Sequence, residues 1–344
     1  MIRDIKALAH GKPIPRQYTT GPLRWMPKLP HWGQRRVVGV DLGATAIKAV
    51  ALDPSHQPPR LTGFSLVPLP AAAIREGELT DPKALAPSLR KAVRQASPHT
   101  RQIALAIPAA AAISRHLRVP AGLTDRAMAG HVALALDELL HQPRHTLYTD
   151  FRVASDPATA NSEVDVLLVA TRRKLIDQRL ALLRAAGLHG TLVDIEDHAL
   201  ARLHRRLPQA PASQTIGLLD AGQQSLRFSV IADEEPVHRQ SQAFDDVTDA
   251  EQWIIACRRA VAVYQGSHDA RPLDGLHITG GRAHSSLCET LTDSLKLAVT
   301  MLDPLTRVTP SQHVDHAALN RASNRLSTAT GLALHAGDPD AHWR

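Results

Sequence analysis

The 344-residue sequence is 44% hydrophobic, long enough to bury a sizeable core and longer than one average domain, so two lobes are expected. Its two cysteines, Cys257 and Cys288, lie far apart without metal-ligand spacing, which excludes a disulfide scaffold or zinc site and fits a cytoplasmic, reducing setting. The formal charge of +7 belongs to residues 1 to 36, where eight Lys or Arg face only Asp4; the remainder holds 32 basic and 32 acidic side chains, so nucleic acid is not an expected partner.

In chain order, residues 1 to 36 form an arm with Pro13, Pro15, Pro22, Pro27 and Pro30, too many for a stable helix. The arm reads as a solvated tail or, through Trp25 and Trp32 among the cations, as a contact for anionic lipid or a partner protein. No signal-peptide core is visible in it, and the most apolar run of the chain, Ile103 to Ile113, is too short to span a bilayer.

From Val37 to Leu52 an apolar β-rich run ends in Asp41, a short turn follows, and a second apolar run begins at Ile47, which predicts a β-hairpin with polar residues at its tip. Such a tip can cradle phosphate. Gly43 lets backbone N–H groups approach an anion, Ala44 and Thr45 complete the turn with a hydroxyl donor, Lys48 supplies a point charge, and Asp41 can hold Mg2+ through water. An ordinary tight turn would use the same residues. A strand over Leu61 to Val67 follows, then a helix over Pro82 to Gln95 capped by Thr80 and Asp81, and a strand over Ile103 to Ile107.

The character changes between residues 109 and 188. A half-buried strand over Ser114 to Val119, an amphipathic helix over Thr124 to Leu140, a buried strand over Val164 to Ala170 and a helix over Lys174 to Ala186 stopped by Gly187 suggest a compact unit inserted into the first lobe. The small polar stretch Ala154 to Ser162 reads as a mobile loop. At Leu192 to Ala201 a strand turns into a helix that begins with Glu196 and Asp197; these acids suit the helix dipole, and alternatively one of them positions or activates a water. Pro208 to Ser213 reads as a linker.

A second copy of the tip lies 179 residues downstream of the first: Ile216 to Ile231 aligns without a gap, with Asp220 on Asp41, Gly222 on Gly43 and Arg227 on Lys48, and with Gln223, Gln224 and Ser225 in the turn. Two equivalent hairpins imply a duplicated α/β architecture with a ligand between the halves. A third element, Leu276 to Ala283, is a strand followed by Gly280, Gly281 and Arg282, where the backbone can approach a flat ring or sugar. Trp253 to Tyr264 is an apolar helix, and a helical run from Ala317 to Ala329 precedes Gly331-Leu332-Ala333-Leu334.

The order of these elements resembles the actin-like ATPase superfamily, to which the cell-division protein FtsA belongs, and within it the PilM family of type IV pilus assembly proteins. The family-like segments are Gly39 to Val50, Ile107-Pro108-Ala109, Val119 to Leu123, Asp150 to Val153, Val164 to Ala170, Ala186-Gly187-Leu188 and Val193 to Glu196, and the likeness runs from about residue 37 to 335. It departs at Gln223 and Gln224, where small or hydroxyl residues are usual, at Leu140 to Pro143 and in the length of the arm.

The resemblance implies an actin-like α/β fold: a first lobe from residues 37–108 and 189–210, an FtsA-like inserted subdomain at 109–188, and a second lobe at 211–344. Residues 241–275 would form that lobe's smaller subdomain, and its C-terminal helix would return to the first lobe. It implies ATP and Mg2+ in the cleft, with Asp41 and Asp220 toward the metal, Glu196 and Asp194 as candidate catalytic residues, and at most slow hydrolysis. It also implies a scaffold that binds the cytoplasmic tail of a PilN-type inner-membrane protein, with other pilus motor or alignment proteins and self-association as further expectations. The membrane would be met through that partner or through the basic arm. A small-molecule kinase and an FtsA-like filament former are the alternatives of the same fold.

Overall fold

The computed structural model describes residues 36–336 apart from 71, 76, 140–142, 154–161, 207–213, 234 and 245–249. The arm up to residue 35, nearly all of the loop read over Ala154 to Ser162 and the linker Pro208 to Ser213 lie outside the described residues.

Strands β1 (Val38–Leu42), β2 (Ala46–Asp53) and β3 (Arg60–Pro68) form an antiparallel meander, followed by the small hairpin β4 (Ile74–Arg75) and β5 (Glu78–Leu79). Helix α1 (Pro82–Ala96) starts where the Asp81 carboxylate accepts from the N–H groups of Lys83 and Ala84, with Pro82 in the first turn, and leads to β6 (Gln102–Ile107). Next come β7 (Ala112–Pro120), α2 (Asp125–Leu139), β8 (Leu147–Val153), β9 (Glu163–Arg172), α3 (Arg173–Ala186), β10 (His189–Ile195) and α4 (Glu196–Arg205). The second half runs β11 (Ile216–Ala221), β12 (Ser225–Ala232), β13 (Glu235–Ala243), α5 (Ala250–Gln265), β14 (Gly275–Thr279), α6 (Ser285–Leu295), β15 (Val299–Met301), β16 (Thr309–Pro310), α7 (His316–Ala322) and α8 (Ser327–Ala336).

The duplication seen in the hairpins extends to whole sheets. The first is ordered β10-β6-β1-β2-β3-β16 and the second β13-β12-β11-β14-β15. In each, the central strand pairs antiparallel with the next strand in sequence and parallel with a later one, β6 beside β1 and β14 beside β11. Both central strands are buried along their whole length, as strands covered on two faces must be. Helices α1 and α3 cover the outer face of the first sheet, and α5 and α6 that of the second.

Helices α4 and α8 lie between the sheets, where Leu200, Leu203, Leu326, Ala329 and Ala333 share a core with Val50 and Leu61 of one sheet and Leu218 and Ile231 of the other. The approach is close: a Cβ on Gly39 would stand 2.1 Å from the Ala329 carbonyl oxygen, and one on Gly331 equally near that of Ala199. The result is two duplicated α/β lobes, the architecture that the resemblance implies.

Three local readings differ from the structure. Leu147–Val153 is a strand that the sequence reading did not give as an element, so the inserted unit holds a three-stranded sheet ordered β7-β9-β8. Helix α3, read as part of that unit, packs Leu182, Leu183 and Ala186 with the first lobe; it ends at Gly187, whose φ of +68° admits the left-handed cap. The helical run from Ala317 breaks at Ser323–Arg325, and Gly331 to Leu334 sits inside α8 rather than after a helix. The break has a use: the Asn324 carbonyl accepts the Gly280 N–H at 2.8 Å, and its side-chain amide donates to the Ala283 carbonyl at 2.8 Å, which a continuous helix would not permit.

Candidate functional site

The register of each hairpin places an acid opposite a base. Asp41 pairs across the strands with Lys48, whose Nζ donates to the Asp41 carboxylate at 2.7 Å. Asp220 pairs in the same way with Arg227, which donates through Nη2 to the Asp220 carboxylate at 2.5 Å. Arg227 is long enough to do more: its Nη1 stands 2.7 Å from Glu196 Oε1 in the first turn of α4, tying the second sheet to the helix that follows the first. Glu196 Oε2 and Arg227 Nε are buried and have no hydrogen-bond partner among the described residues.

Electrostatics follow from this crowding. Burial pushes the Glu196 carboxyl up from its ordinary value, Asp41 and Asp220 push the same way, and Arg227 opposes them. Burial alone would lower the Arg227 guanidinium, but Asp220, Glu196 and Asp41 outweigh it and raise its pKa. A third cation was not anticipated. Arg179 of α3 is 2% exposed and donates to the carbonyls of Ala106, Leu175 and Gly77 at 3.0 to 3.1 Å. Burial brings its pKa down to about 10, and the charge of Glu196 works against that fall. On a helix rich in Arg and Lys, nothing in the sequence marks this arginine as the buried one.

The third predicted element meets the second tip. Gly280 has a φ of +102°, and a Cβ there would lie 2.4 Å from the Ala221 carbonyl and 2.5 Å from Asp220 Oδ1, so glycine is required on both counts. A Cβ on Gly281 would approach Gln223 Nε2 to 3.0 Å. The Arg282 N–H donates to Ala221 at 2.9 Å, and its guanidinium lies over the Trp253 ring. At the tips, the N–H groups of Gly43 and Gly222 close the turns onto the Ala46 and Ser225 carbonyls, leaving Ala44, Thr45, Gln223 and Gln224 on the outer curve of the two turns.

Asp194 goes elsewhere. Its carboxylate, closed to solvent, accepts from the Ile195 N–H at 2.7 Å and pairs with Arg202 and with His335 of α8. Burial would raise its pKa, but Arg202, His335 and His198 hold it well below the usual carboxylate range. Of the two candidate catalytic acids, Glu196 alone stands in the cluster with Asp41, Asp220 and Arg227.

The first turn of α4 in fact sends three successive residues to three places. Glu196 enters the charge cluster, Asp197 lies 2.8 Å from Arg239 of β13, and His198 reaches an apolar pocket. That pocket lies on the seam between the inserted sheet and the first lobe and is lined by Ile107, Tyr148, Val169, Ile176, Val193 and Ile195. With His198 its residues come from six elements, which is why no linear motif announces it.

A model of the family described as type IV pilus assembly protein PilM matches residues 39–254 and 249–337. The chain belongs to that family. Among solved structures it is similar to the PilM-PilN type IV pilus biogenesis complex at 21% identity, over 89% of this chain and 100% of that one, with a TM-score of 0.75. It is less similar to the ethanolamine utilization protein EutJ from Carboxydothermus hydrogenoformans, at 15% identity over 86% and 88% of the two chains with a TM-score of 0.47. The cytoplasmic domain of EpsL, an inner-membrane component of the Vibrio cholerae type II secretion system, matches at 14% identity over 87% and 94%, with a TM-score of 0.46. Membership of the pilus-assembly family does not favour the kinase and filament alternatives. No helix among the described residues is long and apolar enough to cross a membrane.

Proposed function

We propose that this member of the PilM family is a cytoplasmic scaffold of pilus assembly that binds the N-terminal tail of a PilN-type inner-membrane protein in the apolar pocket between the inserted sheet and the first lobe. The observation that carries the reading is the pocket itself. It is walled by Ile107, Val169, Ile176, Val193 and Ile195, and one side is β8, which among the described residues stands at the end of the β7-β9-β8 order. An extended peptide laid along this seam can anchor an apolar side chain among these walls. The ordering cost of a short peptide holds such binding to about micromolar affinity. Through this partner the chain works at the inner membrane, and the inserted unit is the part of the lobe that receives it.

The cleft is proposed to take ATP. Gly43, Ala44, Thr45 and Lys48 would meet the phosphates from one side, and Gly222, Gln223, Gln224 and Ser225 from the other. Gly280, Gly281 and Arg282, packed against the second tip, would bound the nucleoside. Mg2+ fits less well, because the two carboxylates expected to hold it, Asp41 and Asp220, each already carry a cationic partner. With Glu196 tied to Arg227, any hydrolysis is slow.

Anisotropy titration of a labelled PilN-type tail peptide tests the main reading. Saturable one-to-one binding, weakened by Val169→Glu, is the expected result. Absence of binding together with concentration-dependent sedimentation would replace the partner role by self-association.

A further inference from the structure

The buried cluster balances its own charge. Three carboxylates, Asp41, Asp220 and Glu196, are each less than a tenth exposed, and three cations act on them: Lys48 on Asp41, Arg227 on Asp220 and Glu196, and Arg179 electrostatically on Glu196. A divalent ion binds where carboxylate charge is left uncompensated, and here little is left. The geometry of Arg227 sharpens the point. Its guanidinium lies between an acid of each lobe, with the Asp41 carboxylate also acting on it, and its Nε and Glu196 Oε2 are the two cluster atoms without a hydrogen-bond partner among the described residues. The planar five-donor guanidinium addresses the two carboxylates through separate nitrogens held in a fixed fork.

We propose that Arg227 is the resident cation of the cleft, standing where Asp41 and Asp220 were expected to hold Mg2+, so that this chain clamps its lobes and binds ligand without a divalent metal. The sequence hid this because Arg227 aligns with Lys48 and looks like a second phosphate contact. On the second hairpin, however, the longer side chain reaches past its own cross-strand acid to Glu196. The cleft's ligand is then an anion recruited by displacing Lys48 or Arg227 from a carboxylate, not a metal chelate.

The test removes the charge and asks whether a metal site appears. Purified full-length chain, Arg227→Met and, as a milder variant that keeps a polar bridge, Arg227→Gln are compared in EDTA, MgCl2 and MnCl2 by thermal denaturation and by the Mn2+ electron paramagnetic resonance signal. The expected result is a wild-type melting temperature indifferent to metal, and a variant that takes up about one Mn2+ per chain and is stabilised by Mg2+ in a concentration-dependent way. A folded variant that ignores both metals overturns the proposal. Equilibrium dialysis of ATP with wild-type protein adds a second arm. Equal affinity in EDTA and in MgCl2 supports the proposal, and affinity at least about tenfold higher with Mg2+ overturns it. Failure to bind ATP under either condition would instead remove the nucleotide reading, and the metal response of the variants would still decide the role of Arg227.

Discussion

Asp194 and His335 are 141 residues apart in sequence, and His335 Nδ1 stands 3.0 Å from the Asp194 carboxylate. The contact joins the end of β10 to the last turn of α8, so an acid beside the charge cluster serves to hold the C-terminal helix between the lobes. Arg202 completes the arrangement from α4.

Breaking this triad should be expensive. Asp194→Asn leaves Arg202 without its buried partner, and removing one member of such a pair costs about 3–5 kcal/mol. The expected outcome is a lower urea midpoint at unchanged m-value. The pH dependence has a definite sign. A carboxylate with a depressed folded pKa stabilises the fold above the unfolded value of about 3.9 and loses that contribution as pH falls below it. Asp194→Asn should therefore flatten the loss of stability below about pH 4, and an acid-unfolding curve as steep as wild type would contradict the assignment.

What the sequence made legible was periodic or repeated. The two hairpins, the strand before Gly280 and the capped helix after Asp81 follow from apolar alternation, turn residues and a side-chain cap, each a local signal. The partners of those residues were not legible, because they are chosen by side-chain reach across elements. Arg227 finds Glu196, Asp194 finds His335, and Arg179 vanishes into carbonyls, although all three look like ordinary charged residues in the chain. Strand β8 carries little periodic signal for a related reason: its burial is only partial.

Glycine substitutions should separate close packing from mere helix content. Gly39→Ala and Gly331→Ala each push a methyl group onto a backbone carbonyl at 2.1 Å and should cost about 1–3 kcal/mol. Gly130 in α2 meets nothing within 4 Å, so Gly130→Ala should instead stabilise by about 0.5–1 kcal/mol. Equal effects of the three substitutions in chemical denaturation would refute the packing argument.

Two histidines at the lobe interface should make stability fall in mild acid. Burial first, and His204 second, bring the pKa of His277 down to about 4, and burial also lowers that of His204; the rings are 5.1 Å apart. The unfolded chain takes up these protons below about pH 6.5 while the fold resists, so stability should decline as pH drops from about 6.5 toward 4. His277→Gln should remove part of that slope. A melting temperature with the same pH slope in wild type and variant would show that other groups set it.

Arg239 is expected to hold the inserted sheet to the second lobe. From β13 it donates to the Ala112 carbonyl at 3.2 Å and to Ser114 Oγ at 2.9 Å, and it lies 2.8 Å from the Asp197 carboxylate, which is 1% exposed. Arg152 of β8 makes a second link to Glu235 of the same strand. Arg239→Met keeps the bulk and removes the charge, leaving Asp197 buried and uncompensated at a cost of about 3–5 kcal/mol. Because Asp197 lies between Glu196 and His198, the change should also shift the first turn of α4, and with it the pocket wall, so tail-peptide affinity should fall although Arg239 does not line the pocket. The double variant Arg239→Met with Asp197→Asn should recover part of the stability, since two neutral partners leave no buried charge. Hydrogen exchange gives the independent readout: amides of β7 should exchange faster in Arg239→Met while those of β14 stay protected. Unchanged exchange in β7 with a weakened peptide would mean that Arg239 acts on the pocket by some route other than the seam.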